Sequence, residues 1–186
     1  PGIKEATKDL QINFDGQKVL LSELMKSQFI DGILIIKNGT AMVELYGGTL
    51  KPNRTHLMWS VSKTIAGLTA ASVEADGLIN LSNTVGDYVP ELTNSGWGEN
   101  TLREILDMRD SSNWVEDYDS PESTVRRQDC ADGLLTGPMC IDTAVIGNYK
   151  FLPAVGKEAS RKGKFVYKSG TTDVMAWVLE AATGKR

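Results

Sequence analysis

The most regular apolar–polar pattern in the first third of the chain runs from Ile33 to Tyr46. Ile33 to Ile36 is a short apolar run, and Thr40 to Tyr46 alternates between the two kinds of position. Asn38-Gly39 lies between them. A two-residue hairpin turn needs positive φ at both central residues, which Asn and Gly adopt at little cost, so the pattern predicts two antiparallel strands. Upstream, residues 1–28 are mixed and polar, with a helical segment from Leu20 to Gln28. Downstream, a proline-containing loop from Lys51 to His56 leads into a helical pattern from Ser60 to Ala75. There Ile65, Leu68, Thr69 and Ser72 recur at three- and four-residue spacing among alanines. Asp76-Gly77 ends that pattern, with Gly77 suited to the left-handed position after a helix.

A short helix reaching Tyr88 is closed by Pro90. Thr101, with Glu104 three residues on, forms a capping box that opens a helix to Met108. Residues 109–140 show no periodicity, although they contain Trp114, Tyr118 and Pro121; so long an irregular stretch reads as a functional or mobile loop. Asp142 to Leu152 reads as a helix, and the basic segment Lys157 to Phe165 as a solvated turn. A strand-like entry then precedes an amphipathic helix from Thr171 to Ala182, with Val174, Trp177, Val178 and Ala181 on its buried face.

The order is therefore hairpin, helices, long loop, helix. Two strands alone are barely stable, and the helix from Ser60 is too apolar for full exposure. The sheet reads as unfinished, completed by chain beyond Arg186. Residues 1–80 are expected to be the first part of a sheet-containing domain that includes the Ser60 helix. Residues 81–186 are expected to form a mainly helical subdomain with a long loop.

Charge narrows the partners. The net charge of −4 and a pI near 5.1 argue against nucleic acid or an anionic membrane surface. No apolar stretch approaches the roughly 20 residues of a membrane span. The chain starts at Pro1 without a methionine, so the lack of a visible secretory signal says nothing about compartment. Cys130 and Cys140 lie ten residues apart in a Gly/Pro/Asp-rich stretch. They form either a disulfide, which would favour the periplasm or secretion, or two free thiols, which would suit the cytoplasm. With one histidine, His56, and no cysteine pair at ligand spacing, neither a metal nor another cofactor is expected.

Candidate chemistry sits at the start of the Ser60 helix, in "MWSVSKTIAGL". Helical positions three apart share a face, so Ser60 and Lys63 point the same way. A serine hydroxyl becomes a nucleophile when a base takes its proton. A lysine can be that base in its neutral form, which burial, a nearby cation or a helix N-terminus favours. Backbone N–H groups of a first helical turn can also bind an oxyanion. Ser-x-x-Lys is a weak motif alone: Ser60 could instead cap the helix while Lys63 reaches solvent. Ser62 falls on another face. Tyr167-Lys168-Ser169, at the entry to the last helix, adds a phenol that can act as acid or base beside a cation, and a second hydroxyl. A Ser-His-Asp triad would need His56, which lies in a loop with no Gly-x-Ser-x-Gly elbow around Ser60.

With "HLMWSVSKTIAG", "ADGLINLSNTVGDYVPEL", "LREILDMRDSSNWVEDYDSP" and "FVYKSGTTDVMAWVLEAATGKR" in order, the chain resembles the serine β-lactamase and penicillin-binding-protein superfamily. The likeness is to its class C and esterase branch, and within that to the 6-aminohexanoate-dimer hydrolase, or nylon-oligomer hydrolase, group. The resemblance implies an α/β (α+β) fold, an antiparallel sheet flanked by helices plus a mainly helical subdomain, with the C-terminal strands outside this chain. It implies a serine hydrolase of small esters or amides: Ser60 the acylated nucleophile, Lys63 and Tyr167 sharing the proton transfers, and Ser169 where many relatives have asparagine. By the same likeness, the stretch with Trp114, Glu116, Asp117, Tyr118 and Asp129 borders the active site. Tyr118 and Asp129 become substrate-contact candidates, against the alternative of a solvated loop with a packed aromatic. The Lys-Thr-Gly motif of the superfamily is missing, so a second chain carrying the C-terminal part of the fold is an expected partner. A β-lactamase, a DD-peptidase and a non-catalytic binding relative are the alternatives.

Overall fold

A computed structural model of the chain describes residues 10–141 and 144–185. The chain forms two compact units, Pro1–Met58 and Trp59–Arg186. The boundary expected near residue 80 refers to the fold of the family and is not decided by this division.

In the first unit, β1 (Gln11–Phe14) pairs antiparallel with β2 (Gln17–Leu20), followed by α1 (Leu21–Ser27). Asp15 and Gly16 turn this hairpin with φ of 50° and 77°. It was not read from the sequence, where the polar flanks obscured the Asp-Gly turn signal. The expected hairpin is β3 (Gly32–Lys37) against β4 (Thr40–Tyr46), turned at Asn38 and Gly39 with φ of 52° and 73°. In β4 the period of two buries Val43 and Leu45, which pack with Leu21 and Met25 of α1. Most of β3 is exposed, Leu34 and Ile36 among its residues.

The second unit is helical, and among the described residues no strand follows β4. A 3₁₀ turn, Trp59–Val61, leads into α2 (Ser62–Ala75). Gly77, at φ 74°, stands just beyond its last turn. Then come α3 (Val85–Tyr88) and α4 (Leu102–Leu106). The capping box is present: Thr101 Oγ1 accepts from the Glu104 N–H, and Glu104 accepts from the Thr101 N–H. α4 is shorter than expected, because Met108 takes a left-handed φ of 53°.

Three expectations are corrected here. Residues 109–140 contain a helix, α5 (Thr124–Ala131), capped by Ser123. Its buried face includes Gln128 and Cys130 beside Val125, so no apolar stripe announced it. Of the helix expected from Asp142 to Leu152, Asp142 and Thr143 lie outside the described residues, and the rest is α6 (Asn148–Phe151) followed by a 3₁₀ turn, since Gly147 adopts φ 76° just before it. The last helix, α7 (Ser169–Thr183), buries Val174 and Val178 as expected, but Trp177 is half-buried and Ala181 exposed.

α2 and α4 each pack on α7 around a core that includes Val73, Trp97, Leu102, Trp114 and Val174. Only part of α2 joins this core. Ala70 and Val73 are buried, whereas Ile65 and Leu68 are 55% and 63% exposed in this chain. Cys130 and Cys140 form a disulfide that ties the end of α5 to the following loop. No helix among the described residues is long and apolar enough to cross a membrane.

Candidate active site

Ser60 sits in the middle of the 3₁₀ turn that opens α2. Side chains three apart eclipse in 3₁₀ geometry. Lys63 therefore lies over Ser60, and its Nζ donates to Ser60 Oγ at 2.9 Å. Ser60 does not cap α2: Val61 holds the cap position, and no side-chain cap is made there. Just before Ser60, Trp59 has φ 46°. For a bulky L-residue the left-handed region costs roughly 1–2 kcal/mol, and strain of this kind gathers at functional sites.

The second half of the cluster comes from the entry to α7. Lys168 is extended, with φ −148° and ψ 111°. Successive side chains of extended backbone point to opposite sides. Lys168 thus points into the protein, while Tyr167 and Ser169 face Ser60 and Lys63. Tyr167 Oη donates to Ser60 Oγ at 2.7 Å, and Lys63 Nζ reaches Ser169 Oγ at 3.4 Å. Lys63 Nζ also lies 5.2 Å from the centroid of the Tyr167 ring. Beneath them, Lys168 and Asp110 form an ion pair at 2.8 Å, both side chains wholly inaccessible. Asp110 also accepts from the Ser112 N–H and hydroxyl and from Thr171 Oγ1, so its oxygens are well satisfied.

Glu116 joins the loop to this cluster. Its Oε1 accepts from Ser169 Oγ and Tyr118 Oη, both at 2.5 Å. Its Oε2 accepts from the Ser169 N–H at 2.9 Å and from Trp114 Nε1 at 2.5 Å. Burial by itself would push this carboxyl up; the bonds from Ser169, Tyr118 and Trp114 outweigh it and hold Glu116 below the usual glutamate value. Burial, then the bond to Glu116, pushes the Tyr118 phenol up. For Tyr167, burial acts upward too. The bonds with Ser60 and Lys63, and the charge on Lys63, prevail and bring its phenol below the ordinary value near 10.

A hydroxyl oxygen that accepts from both an amine and a phenol lacks a free lone pair. It gains one when either donor arrives without its proton. The depressed phenol of Tyr167 is suited to do so, and the adjacent Lys63 stabilises the phenolate. The arrangement sets a serine hydroxyl between two groups able to carry a proton, and it uses no histidine.

The family model described as "Beta-lactamase" matches residues 20–186. The chain belongs to the β-lactamase family. It is 31% identical over 166 residues to a 6-aminohexanoate-dimer hydrolase of Paenarthrobacter ureafaciens, covering 89% of this chain and 41% of that protein. Among solved structures, "Putative 6-aminohexanoate-dimer hydrolase from Bacillus anthracis" superposes with a TM-score of 0.84 at 24% identity, over 97% of this chain and 47% of that one. FmtA from Staphylococcus aureus superposes with a TM-score of 0.59 at 19% identity, over 88% and 42%. These two share the fold. The chain spans less than half the length of each relative.

The structure brings Ser60, Lys63, Tyr167 and Ser169 into one hydrogen-bonded cluster; spacing put Ser60 beside Lys63, and the family resemblance joined Tyr167 and Ser169 to them. Tyr118 reaches that cluster through Glu116. Asp129 stands further out: it pairs with Arg126 at 3.1 Å, and the Arg126 guanidinium stacks over Tyr118 at 5.0 Å. His56 is engaged by Asp31, at 2.9 Å, and by the Leu57 carbonyl.

Lys63 is half-buried in this chain, and two hydroxyls and an aromatic face surround its amine. Sequence reasoning placed Glu116 only at the border of the site, by resemblance, and left the Lys168–Asp110 pair without a role. The alternation at Tyr167-Lys168-Ser169 was the available signal that Lys168 turns inward; nothing local marked Glu116 as its neighbour's acceptor.

Two other features adjoin the site. A cavity of about 1120 Å³ runs along a different face of α2, lined by Ser62, Ile65, Thr69 and Asp173, and does not include Ser60, Lys63 or Tyr167. Asp173, one turn after Ser169, is pushed up by burial despite a bond from Gln128 Nε2 at 2.7 Å. Among the described residues no group of three or more His, Cys, Asp or Glu side chains could hold a metal ion.

Proposed function

We propose that Ser60 is the nucleophile of a serine hydrolase that cleaves small esters or amides through an acyl-enzyme. The observation that carries this is the convergence of Lys63 Nζ and Tyr167 Oη on Ser60 Oγ, at 2.9 and 2.7 Å. Ser60 Oγ attacks the substrate carbonyl while its proton passes to the Tyr167–Lys63 pair. The tetrahedral intermediate collapses, and the pair returns that proton to the departing alkoxide or amine. Water then attacks the acyl-serine, giving its proton to the same pair, and Ser60 recovers it as the acid leaves. Tyr118 and Asp129 line the approach for substrate in this reading. The likeness to a 6-aminohexanoate-dimer hydrolase favours a linear amide or ester over a β-lactam or peptidoglycan peptide. Activity is assigned to the protein in which this chain is joined, covalently or as a partner polypeptide, by the rest of the family fold. The Cys130–Cys140 disulfide fits an oxidising compartment.

The test is covalent. A fluorophosphonate probe should label Ser60, as located by mass spectrometry, and Ser60→Ala should abolish labelling. Turnover of p-nitrophenyl acetate, a cephalosporin and a linear amide then ranks the substrate classes. Folded protein that leaves Ser60 unlabelled and turns over none of the three would point to the non-catalytic relative instead.

A further inference from the structure

We propose that Glu116 is a positioning residue that sets the polarity of the hydrogen bond between Lys63 and Ser169, and through it the way Lys63 presents itself to Ser60. This rests on the acyl-enzyme reading above. A carboxylate only accepts hydrogen bonds. The single proton of the Ser169 hydroxyl is therefore committed to Glu116 Oε1, 2.5 Å away. What Ser169 has left to offer Lys63 is a lone pair, so Lys63 must donate to it across 3.4 Å. With one N–H directed to Ser169, two positions of the amine remain on the side of Ser60 and Tyr167: two N–H groups when the lysine is charged, one N–H and the lone pair when it is neutral. The chain Lys63 → Ser169 → Glu116 thus has one direction, and the carboxylate at its end imposes it.

The carboxylate is held rigidly enough to do this. The Ser169 N–H and Trp114 Nε1 fix Oε2. Trp114 is buried and packs on Trp97 with ring centroids 6.1 Å apart. Gly170 lets the ring come so near that a Cβ there would lie 2.4 Å from it.

Glutamine at 116 keeps the shape and cannot keep the polarity. In one orientation its NH₂ group opposes the Ser169 N–H and Trp114 Nε1, donor against donor. In the other, it donates to Ser169 Oγ, whose proton then turns toward Lys63 and occupies the lone pair a base needs.

The experiment measures the rate of Ser60 labelling by a fluorophosphonate between pH 6 and 10. It compares wild type, Glu116→Gln, Ser169→Ala and the double variant, each in the full protein, with a thermal melt for each. Each single variant should slow labelling about 10- to 100-fold, below or at the lower end of the roughly 10²–10⁴-fold that a positioned acid or base contributes, since residues 116 and 169 act through Lys63. The double variant should be no more than about threefold slower than Ser169→Ala, because residue 116 acts through residue 169. The acid limb of the E116Q profile should move to lower pH, since the lost anion no longer favours protonation of its neighbours. A merely structural role would lower the melt and leave that limb in place. Multiplying effects in the double variant would overturn the proposal. So would Ser169→Ala at the wild-type rate, which decides the matter even if E116Q does not fold. Wild type that never labels at Ser60 would sink the acyl-enzyme reading and this proposal with it. Labelled wild type with independent variants would sink this proposal alone.

Discussion

Lys168 offers the sharpest test of how the cluster is held. Its amine donates to both the backbone carbonyl and Oδ1 of Asp110 at 2.8 Å, and neither side chain of the pair has any solvent access. Lys168→Met keeps the length and apolar stem and removes the charge. Asp110 then keeps its bonds from Ser112 and Thr171 but loses its cation. Breaking one side of a buried pair costs about 3–5 kcal/mol, because the remaining charge is left uncompensated.

Urea unfolding of the full protein, followed by intrinsic tryptophan fluorescence, measures the loss; Trp97 and Trp114 are buried in the same core. A second arm separates charge from packing. In Lys168→Met/Asp110→Asn the orphaned charge is gone, and the introduced amide oxygen can still accept from Ser112. That double variant should recover most of the lost stability. Lys168→Met within about 1 kcal/mol of wild type would show that Asp110 is satisfied without a cation, and would refute the reasoning. A double variant worse than the single would refute it as well.

Gly170→Ala places a methyl 2.4 Å from the Trp114 ring, and overpacking of about 1–3 kcal/mol should exceed the roughly 1 kcal/mol alanine gains as a helix former. It should slow Ser60 labelling as well, through the displaced Trp114–Glu116 bond; unchanged melt and labelling would contradict the packing. Reducing the disulfide, or Cys130→Ala/Cys140→Ala, opens a loop with a sequence separation of 10. For so short a loop the expected loss is about 3 kcal/mol, read as a shift in the urea midpoint. Asp173→Asn should stabilise at neutral pH. The folded pKa of Asp173 is raised above 3.8, so the folded state binds the extra proton, and wild type loses stability as pH rises through that raised value. The advantage of the variant should vanish below pH 3.8 and grow above it; a constant difference from pH 3 to 7 would count against the burial argument.

Much of this architecture was legible where local chemistry repeats a rule. Asn38-Gly39 announced its hairpin because few residues tolerate two positive φ values in succession. Thr101 and Glu104 announced a helix start because they satisfy each other's backbone donors. Ser60, Lys63, Tyr167 and Ser169 were readable as pairs, from spacing on one turn and alternation on one extended segment. Their meeting across more than a hundred positions rested on the family likeness, since no local pattern encodes it. α5 was hidden because its buried positions include Gln128 and Cys130, held by hydrogen bonding and a disulfide instead of apolar packing. An apolar pattern reports what a face can bury, not whether something covers it, as Ile65 and Leu68 show in this chain.

Two carboxylates act on the same short segment, and their surroundings give them different work. Asp110 is inaccessible and paired with a cation, so the pair adds little net field at Ser60 and mainly fixes the backbone from Tyr167 to Thr171. Glu116 is half-buried, and its donors Ser169, Tyr118 and Trp114 are all uncharged. Its negative charge is therefore not cancelled by its own hydrogen bonds, and it bears on the neighbouring lysine and phenol. Changes at 110 and 168 belong in unfolding curves; changes at 116 and 169 belong in rates and pH profiles. A residue pair that reversed this assignment, with Asp110 variants altering the pH profile at unchanged stability, would mean that the buried pair is polarised enough to project its field to the nucleophile.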